Sequence, residues 1–131
     1  MKLINDFFHI VTIESCDAEY KCKVKLNAEH DLYRVHFPGN PVTPGVCLVQ
    51  MATEILEEKY GKKLLLLSAG SIKFKKMVTP HDEPTFLFTK TVLEDNLLRV
   101  NVCMEDGETQ FAKMSLRYKV GDLVTDDNEC C

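Results

Sequence analysis

Polar and apolar positions alternate along most of this chain, and in one stretch the alternation stops. Tyr20, Cys22, Val24, Leu26 and Ala28 are separated by Lys21, Lys23, Lys25 and Asn27, the pattern of a strand with one buried face. Residues 8–16, just before it, are β-branched and aromatic, and the Asp17-Ala18 step predicts a hairpin. Further strands are expected over residues 66–77, 85–93, 97–104 and 109–120. The last two flank Glu105-Asp106-Gly107-Glu108, where Gly107 tolerates the positive φ of a tight turn. In the final strand Ala112, Met114, Leu116 and Tyr118 share one face, and Lys113, Ser115, Arg117 and Lys119 share the other.

The exception lies near the middle of the chain and reads as one long helix. Thr43 is placed to cap it, Pro44 suits its first position, and Gly61 suits its end after Tyr60. Its first half, Val46-Cys47-Leu48-Val49, is apolar on nearly every side. Its second half is amphipathic, with Ile55 and Leu56 set against Glu54, Glu57, Glu58 and Lys59. A helix apolar all round at one end must be wrapped by something. An α+β domain follows, an antiparallel sheet of about six strands curved around one central helix.

Composition narrows the functional classes. A chain of 131 residues, 45% hydrophobic and 27% charged, is an ordinary globular domain that can bury a core without staples. The domain is expected over residues 1–120, with 121–131 as an acidic tail carrying Asp122, Asp126, Asp127 and Glu129, and with Cys130 and Cys131 as exposed thiols. The formal charge of −4 comes from those four acids, so residues 1–120 are balanced and lack the basic excess of a general nucleic-acid binder. The six cysteines include no Cys-x-x-Cys pair, and the histidines at 9, 30, 36 and 81 show no zinc-ligand spacing, so no metal or other cofactor is expected. Uninterrupted apolar stretches such as residues 64–67 are far too short to span a membrane, and the opening residues do not resemble a secretory signal. A cytoplasmic protein with reduced thiols is the expectation.

The chemistry concentrates in His36-Phe37-Pro38-Gly39-Asn40-Pro41-Val42-Thr43-Pro44-Gly45. Three of the five prolines fall here and stiffen the loop. A rigid loop that carries a His and opens onto a helix N-terminus can set a base beside a partial positive charge. From spacing alone, a merely stiff turn with a surface His is an equal reading.

This run resembles the signature of 3-hydroxyacyl-(acyl-carrier-protein) dehydratases of the FabZ and FabA type. Their pattern is roughly H-F-x-G-x-P-x-x-P-G-[VC], followed by an acidic residue on the helix. The stretch Ile72-Lys73-Phe74-Lys75-Lys76-Met77-Val78-Thr79-Pro80-His81-Asp82 is similar to the family's second motif, F-K/R-x-x-V-x-P-G-D. The resemblance covers about residues 5–120 and implies the hotdog fold, usually paired into a dimer with a continuous sheet. It implies that His36 is the base that takes the C2 proton. Gly45 would polarise the thioester carbonyl through its N–H, the Val42 carbonyl would orient the imidazole, and Val46 and Val49 would line an acyl tunnel. Arg34, Lys73, Lys75 and Lys76 are candidates for a basic rim that receives phosphopantetheine and an acidic carrier protein, or for a solvated strand face.

Two positions depart from the family pattern. The acid expected fourteen residues after the His is Gln50 here, and Glu54 stands where the family commonly has Gln. The two residues read as exchanged across one helical turn, about 6 Å along the axis. Glu54 either serves the same pocket or belongs to the solvated face with Glu57 and Glu58. Val35 also replaces the usual glycine before the His, and Cys47 in the first helical turns is expected to be a small buried hydrophobe. Three functions are therefore carried forward. The first is dehydration of a 3-hydroxyacyl thioester on acyl carrier protein, in fatty-acid or polyene-type synthesis. The second is a catalytically impaired homologue that binds acyl carrier protein or pairs with an active partner. The third is acyl thioester hydrolysis, for which Glu54 would supply the carboxylate.

Overall fold

The computed structural model describes residues 2–16, 18–35, 39 and 41–123. Six strands form one antiparallel sheet: β1 (Phe8–Cys16), β2 (Glu19–Leu26), β3 (Lys62–Phe74), β4 (Thr85–Glu94), β5 (Leu97–Asp106) and β6 (Thr109–Leu123). Their order across the sheet is β1-β2-β4-β5-β6-β3, which leaves β1 and β3 as the edges. Helix α1 (Asp31–Val35) and the long helix α2 (Gly45–Tyr60) lie between β2 and β3 in the chain. The architecture is α+β, the hotdog arrangement that the sequence motif implied.

Alternation sets the two faces. On β6 Ala112, Met114, Leu116 and Tyr118 are all buried, as the period of two requires. They meet Phe86 and Phe88 of β4, Val100 and Met104 of β5, and Met51 and Ile55 of α2 in one core. Two hydroxyls inside, of Thr53 on α2 and Tyr118 on β6, are paired. Thr53 donates to the Val49 carbonyl at 3.0 Å, so the Tyr118 hydroxyl, 2.9 Å away, donates to Thr53. Burial pushes the Tyr118 phenol up to about 12.

Several expectations shift. The third strand starts at Lys62 and ends at Phe74, earlier at both ends than residues 66–77. The last strand runs on to Leu123, pairing Lys62 with Leu123, so 121–123 belong to the sheet and not to a tail. Residues 124–131 lie outside the described residues. Thr43 does not cap α2. Pro44 is the N-cap with no side-chain bond, and Thr43 is turned inward, 2.8 Å from the Tyr33 hydroxyl. Gly61 ends the helix as expected, at φ 63°, with its N–H on the Glu57 carbonyl.

The burial profile of α2 is the larger correction. The apolar first turn is not wrapped all round, since Val46 is 73% exposed. The enclosed stretch is the middle, where Met51 through Leu56 are all buried, Glu54 included. The sheet covers one side of that middle, and the segment before β1, anchored by buried Leu3 and Phe7, covers another. Among the described residues no helix is long and apolar enough to cross a membrane.

Candidate active site

The N-terminal turn of α2 opens onto a cavity of about 400 Å³ lined by Val42, Gly45, Leu48, Phe74, Met77 and Val78, among others. Local chain geometry builds it. Thr43 N–H donates to the Val78 carbonyl at 2.7 Å, and Lys75 N–H donates to the Phe111 carbonyl at 2.7 Å. The first bond holds the loop before α2 against the segment that leaves β3, and the second holds that segment against β6. The Phe74 ring then lies directly over Gly45. A Cβ at position 45 would stand 2.7 Å from Phe74 Cζ, closer than real atoms come, so only glycine lets the ring sit there. The first helical turn carries N–H groups that an α-helix leaves without internal partners, and they meet a largely apolar wall. Such a surface can take an acyl chain and a carbonyl oxygen together.

The residues assigned to this site divide. Val42, Gly45, Lys75 and Lys76 line the cavity, whereas Val46 is exposed nearby and Val49 packs half-buried against the core. His36, the candidate base, lies outside the described residues. Arg34 is exposed at the end of α1 and pairs with Asp31 at 3.6 Å. The run of lysines splits. Lys75 and Lys76 belong to the cavity, the Lys75 ammonium bonding the Gln110 side chain, while Lys73 belongs to a separate groove on the opposite sheet face. Cys47 is buried, and burial pushes its thiol up, the reverse of what a nucleophilic thiolate needs. His81 is exposed, and Asp82 holds its turn by accepting from the Thr79 N–H at 2.8 Å. Positive φ outside glycine occurs at Asn5, Ser71, Lys90, Asp95 and Asn96, so His81 replaces the family glycine without left-handed strain.

Glu54 is not on a solvated face. It is 3% exposed, and donors surround its carboxylate. Oε1 accepts from Leu3 N–H at 2.9 Å and Ile4 N–H at 2.7 Å. Oε2 accepts from Leu3 N–H at 2.8 Å and from Gln50 Nε2 at 2.7 Å. A carboxylate only accepts, so this contact also fixes which end of the Gln50 amide carries nitrogen. Gln50 and Glu54 thus form a joined pair, as their spacing suggested. The backbone donors from Leu3 and Ile4 were not foreseen; the only signal was a short apolar pair ahead of Asn5-Asp6. One turn further on, Glu57 accepts from Leu64 N–H at 3.0 Å, and burial raises its carboxyl above the ordinary range.

The fold and the cavity at the head of α2 define a hotdog protein. Comparison with known proteins narrows the class. The profile of the ApeI-like family, described as ApeI dehydratase, matches residues 12–115. The dehydratase FabZ of Acetivibrio thermocellus is 37% identical over 101 residues, covering 66% of this chain and 69% of that one. FabZ of Lactobacillus helveticus is 33% identical over 110 residues, covering 79% of this chain but only 65% of its own length. Among solved structures, the dehydratase heterocomplex ApeI:P of Xenorhabdus doucetiae superposes with a TM-score of 0.62 at 18% identity, covering 84% of this chain and 96% of that one. A Streptococcus mutans protein bound to acetyl CoA gives a TM-score of 0.63 at 15% identity, covering 92% and 94%. The chain belongs to the ApeI-like dehydratase family.

Proposed function

We propose that this protein is a lyase that removes water from a 3-hydroxyacyl thioester carried on acyl carrier protein, in fatty-acid or polyene-type synthesis. The observation that carries the reading is the largely apolar cavity that Gly45, Phe74 and their neighbours line at the N-terminal turn of α2. In this reading His36 takes a proton from C2, and the electrons form the C2=C3 bond. The C3–O bond breaks, and the oxygen leaves as water once protonated. The N–H of Gly45 stabilises negative charge that develops on the thioester oxygen, and the Val42 carbonyl orients His36. The acyl chain runs past Val46 and Val49. Gln50 binds the 3-hydroxyl, and Glu54 sets the amide's orientation through their 2.7 Å contact and serves as the proton donor. To act, it starts as the neutral carboxylic acid, its own O–H taking the place of one N–H bond, and the proton that His36 takes from C2 returns to it after water leaves. Lys75 and Lys76 stand at the cavity for the phosphate of the carrier's prosthetic group.

The test is hydration of a crotonyl thioester with a parallel hydrolysis assay. Hydration without hydrolysis is expected, lost in a folded His36→Ala protein; hydrolysis alone would establish a thioesterase. Glu54→Gln is expected to lower turnover ~10²-fold, the usual scale of an acid-base group. One observation favours a second reading, a catalytically impaired subunit that works beside an active homologue. It is the full set of N–H donors on Glu54 with Gln50 at the family's acid position. That reading expects negligible activity in the purified protein, no response to Glu54→Gln, and a gain in Gln50→Glu.

We further propose a homodimer or larger homo-oligomer. Among the described residues strand β3 pairs only with β6, and Leu65 and Leu67 on it are 63% and 47% exposed. A second copy laid along this edge would bury them and close the cavity beside Val46. Sedimentation at micromolar concentration is expected to show no active monomer. We place the protein in the cytoplasm, where the free thiols of Cys16, Cys22, Cys47 and Cys103 would stay reduced.

A further inference from the structure

The face of the sheet turned away from α2 carries a second groove, of about 400 Å³, running across β3, β6, β5 and β4. Strand register builds its floor. Gly70 stands opposite Ser115, Ser115 opposite Asn101, and Asn101 opposite Thr89, so one cross-strand row presents small and polar side chains. Ser115 Oγ donates to Asn101 Oδ1 at 3.0 Å, which leaves the Asn101 amide nitrogen as a donor toward the groove. The next row sets Lys73 directly opposite Lys113, two like charges facing each other across β3 and β6. Such a pair is destabilising unless an anion lies between or above it.

Two irregularities shape the walls. The β3–β6 register shifts between Gly70 and Lys73, and the β4–β5 register shifts between Thr89 and Val92. At these bulges Ser71 has φ 51° and Lys90 has φ 52°, left-handed values that neither residue adopts without cost. Bulges re-aim side chains, and both residues line this groove. Lys73, Lys90 and Lys113 therefore line one groove together with the Thr89, Ser115 and Ser71 hydroxyls and the Asn101 amide. No carboxylate lines the groove, and none of the three lysines has an ion-pair partner among the described residues. Further along β5, Glu105 accepts from the Cys103 thiol at 3.8 Å.

From this geometry we infer a binding site for a phosphorylated ligand on the outer face of the sheet, separate from the acyl cavity. The volume suits a diphosphate or a phosphate ester with a modest organic group. The phosphate oxygens accept from Lys73, Lys90 and Lys113, and the organic part lies along Thr89, Asn101 and Ser115. Binding also neutralises the Lys73–Lys113 repulsion, so it stabilises the fold as well as filling a groove.

The experiment is an NMR titration of the whole protein with inorganic pyrophosphate at low salt, against chloride at matched ionic strength. Saturable shifts confined to the amides of Ser71, Lys90, Asn101 and Ser115, with a rise in Tm that chloride does not reproduce, support the site. Lys113→Ala is expected to weaken binding about tenfold, the share of one charge-assisted bond. Lys113→Glu is expected to raise Tm without ligand, by removing the repulsion, and to abolish the pyrophosphate effect. Adenosine diphosphate and phosphopantetheine serve as further arms, and tighter binding of either supports the site and names the source. Shifts spread over all surface lysines, an equal effect of chloride, or unchanged binding in Lys113→Ala would overturn it.

Discussion

The two halves of α2 solve opposite problems with the same backbone. At its head, Gly45 faces a cavity under the half-exposed Phe74 ring, and Val46 leaves apolar surface open beside it. Further along, within the next two and a half turns, Gln50 and Glu54 bury a charge and close the helix against Leu3 and Ile4. The open end depends on a missing side chain. The closed middle depends on three N–H donors, one of them shared, that reach both oxygens of one carboxylate.

Removing the anchor breaks this comparison most severely. Glu54→Ala leaves the Leu3 and Ile4 N–H groups without their acceptor, at a cost of roughly 3 kcal/mol or more, read as a lower midpoint in urea unfolding. Gln50→Glu is expected to follow. It places a second carboxylate at the 2.7 Å contact now made by an amide. Two carboxylates there cannot both ionise cheaply, so stability falls at neutral pH by about 2 kcal/mol and returns on acidification. Tm measured across pH reads both the loss and its reversal.

Gly45→Ala sharpens the contrast at the other end. The new Cβ meets the Phe74 ring at 2.7 Å, and the ring must swing aside. Turnover is expected to drop by about tenfold while stability changes by less than about 1 kcal/mol, because an exposed ring can move at little cost. Phe74→Ala in the same protein is expected to leave the Gly45→Ala step without its steric effect. The smallest change concerns Glu57. Its carboxyl is raised above 4.5, chiefly by burial, so the folded state holds the proton more tightly than the unfolded chain. The stability it contributes is full below the unfolded-state value and is lost as pH rises through the folded one. Glu57→Gln is expected to flatten Tm against pH from about 4.5 upward.

What sequence could reveal followed the range of the interactions. The period of two marked the buried face of β6 residue by residue, and Gly61 marked the end of α2, because both are local rules. The Gln50–Glu54 pair was legible as an i, i+4 spacing. Its partners were not, since Leu3 is 51 residues from Glu54 and no pattern connects backbone N–H groups to a distant carboxylate. The cap at Thr43 failed because a tertiary partner, Tyr33, competed for the same hydroxyl. Helix α1, at five residues, is too short to show a period. The division of Lys73 from Lys75 and Lys76 came from the end of β3, where alternation gives way to a bend. The motif identified the fold and the loop, while the bulges at Ser71 and Lys90 had no signature in residue type.

The Glu54 contacts also bear on the order of events in folding. A bond that joins residues 51 apart needs α2 formed and a long loop closed before it can gain anything. Contacts of that kind form after the rate-limiting step more often than before it, and their loss then speeds unfolding and leaves refolding nearly unchanged. A chevron comparison of the parent with Glu54→Gln is expected to show the unfolding limb raised and the folding limb superimposed. The buried carboxylate would then govern how long the native state lasts, and not how fast it is reached.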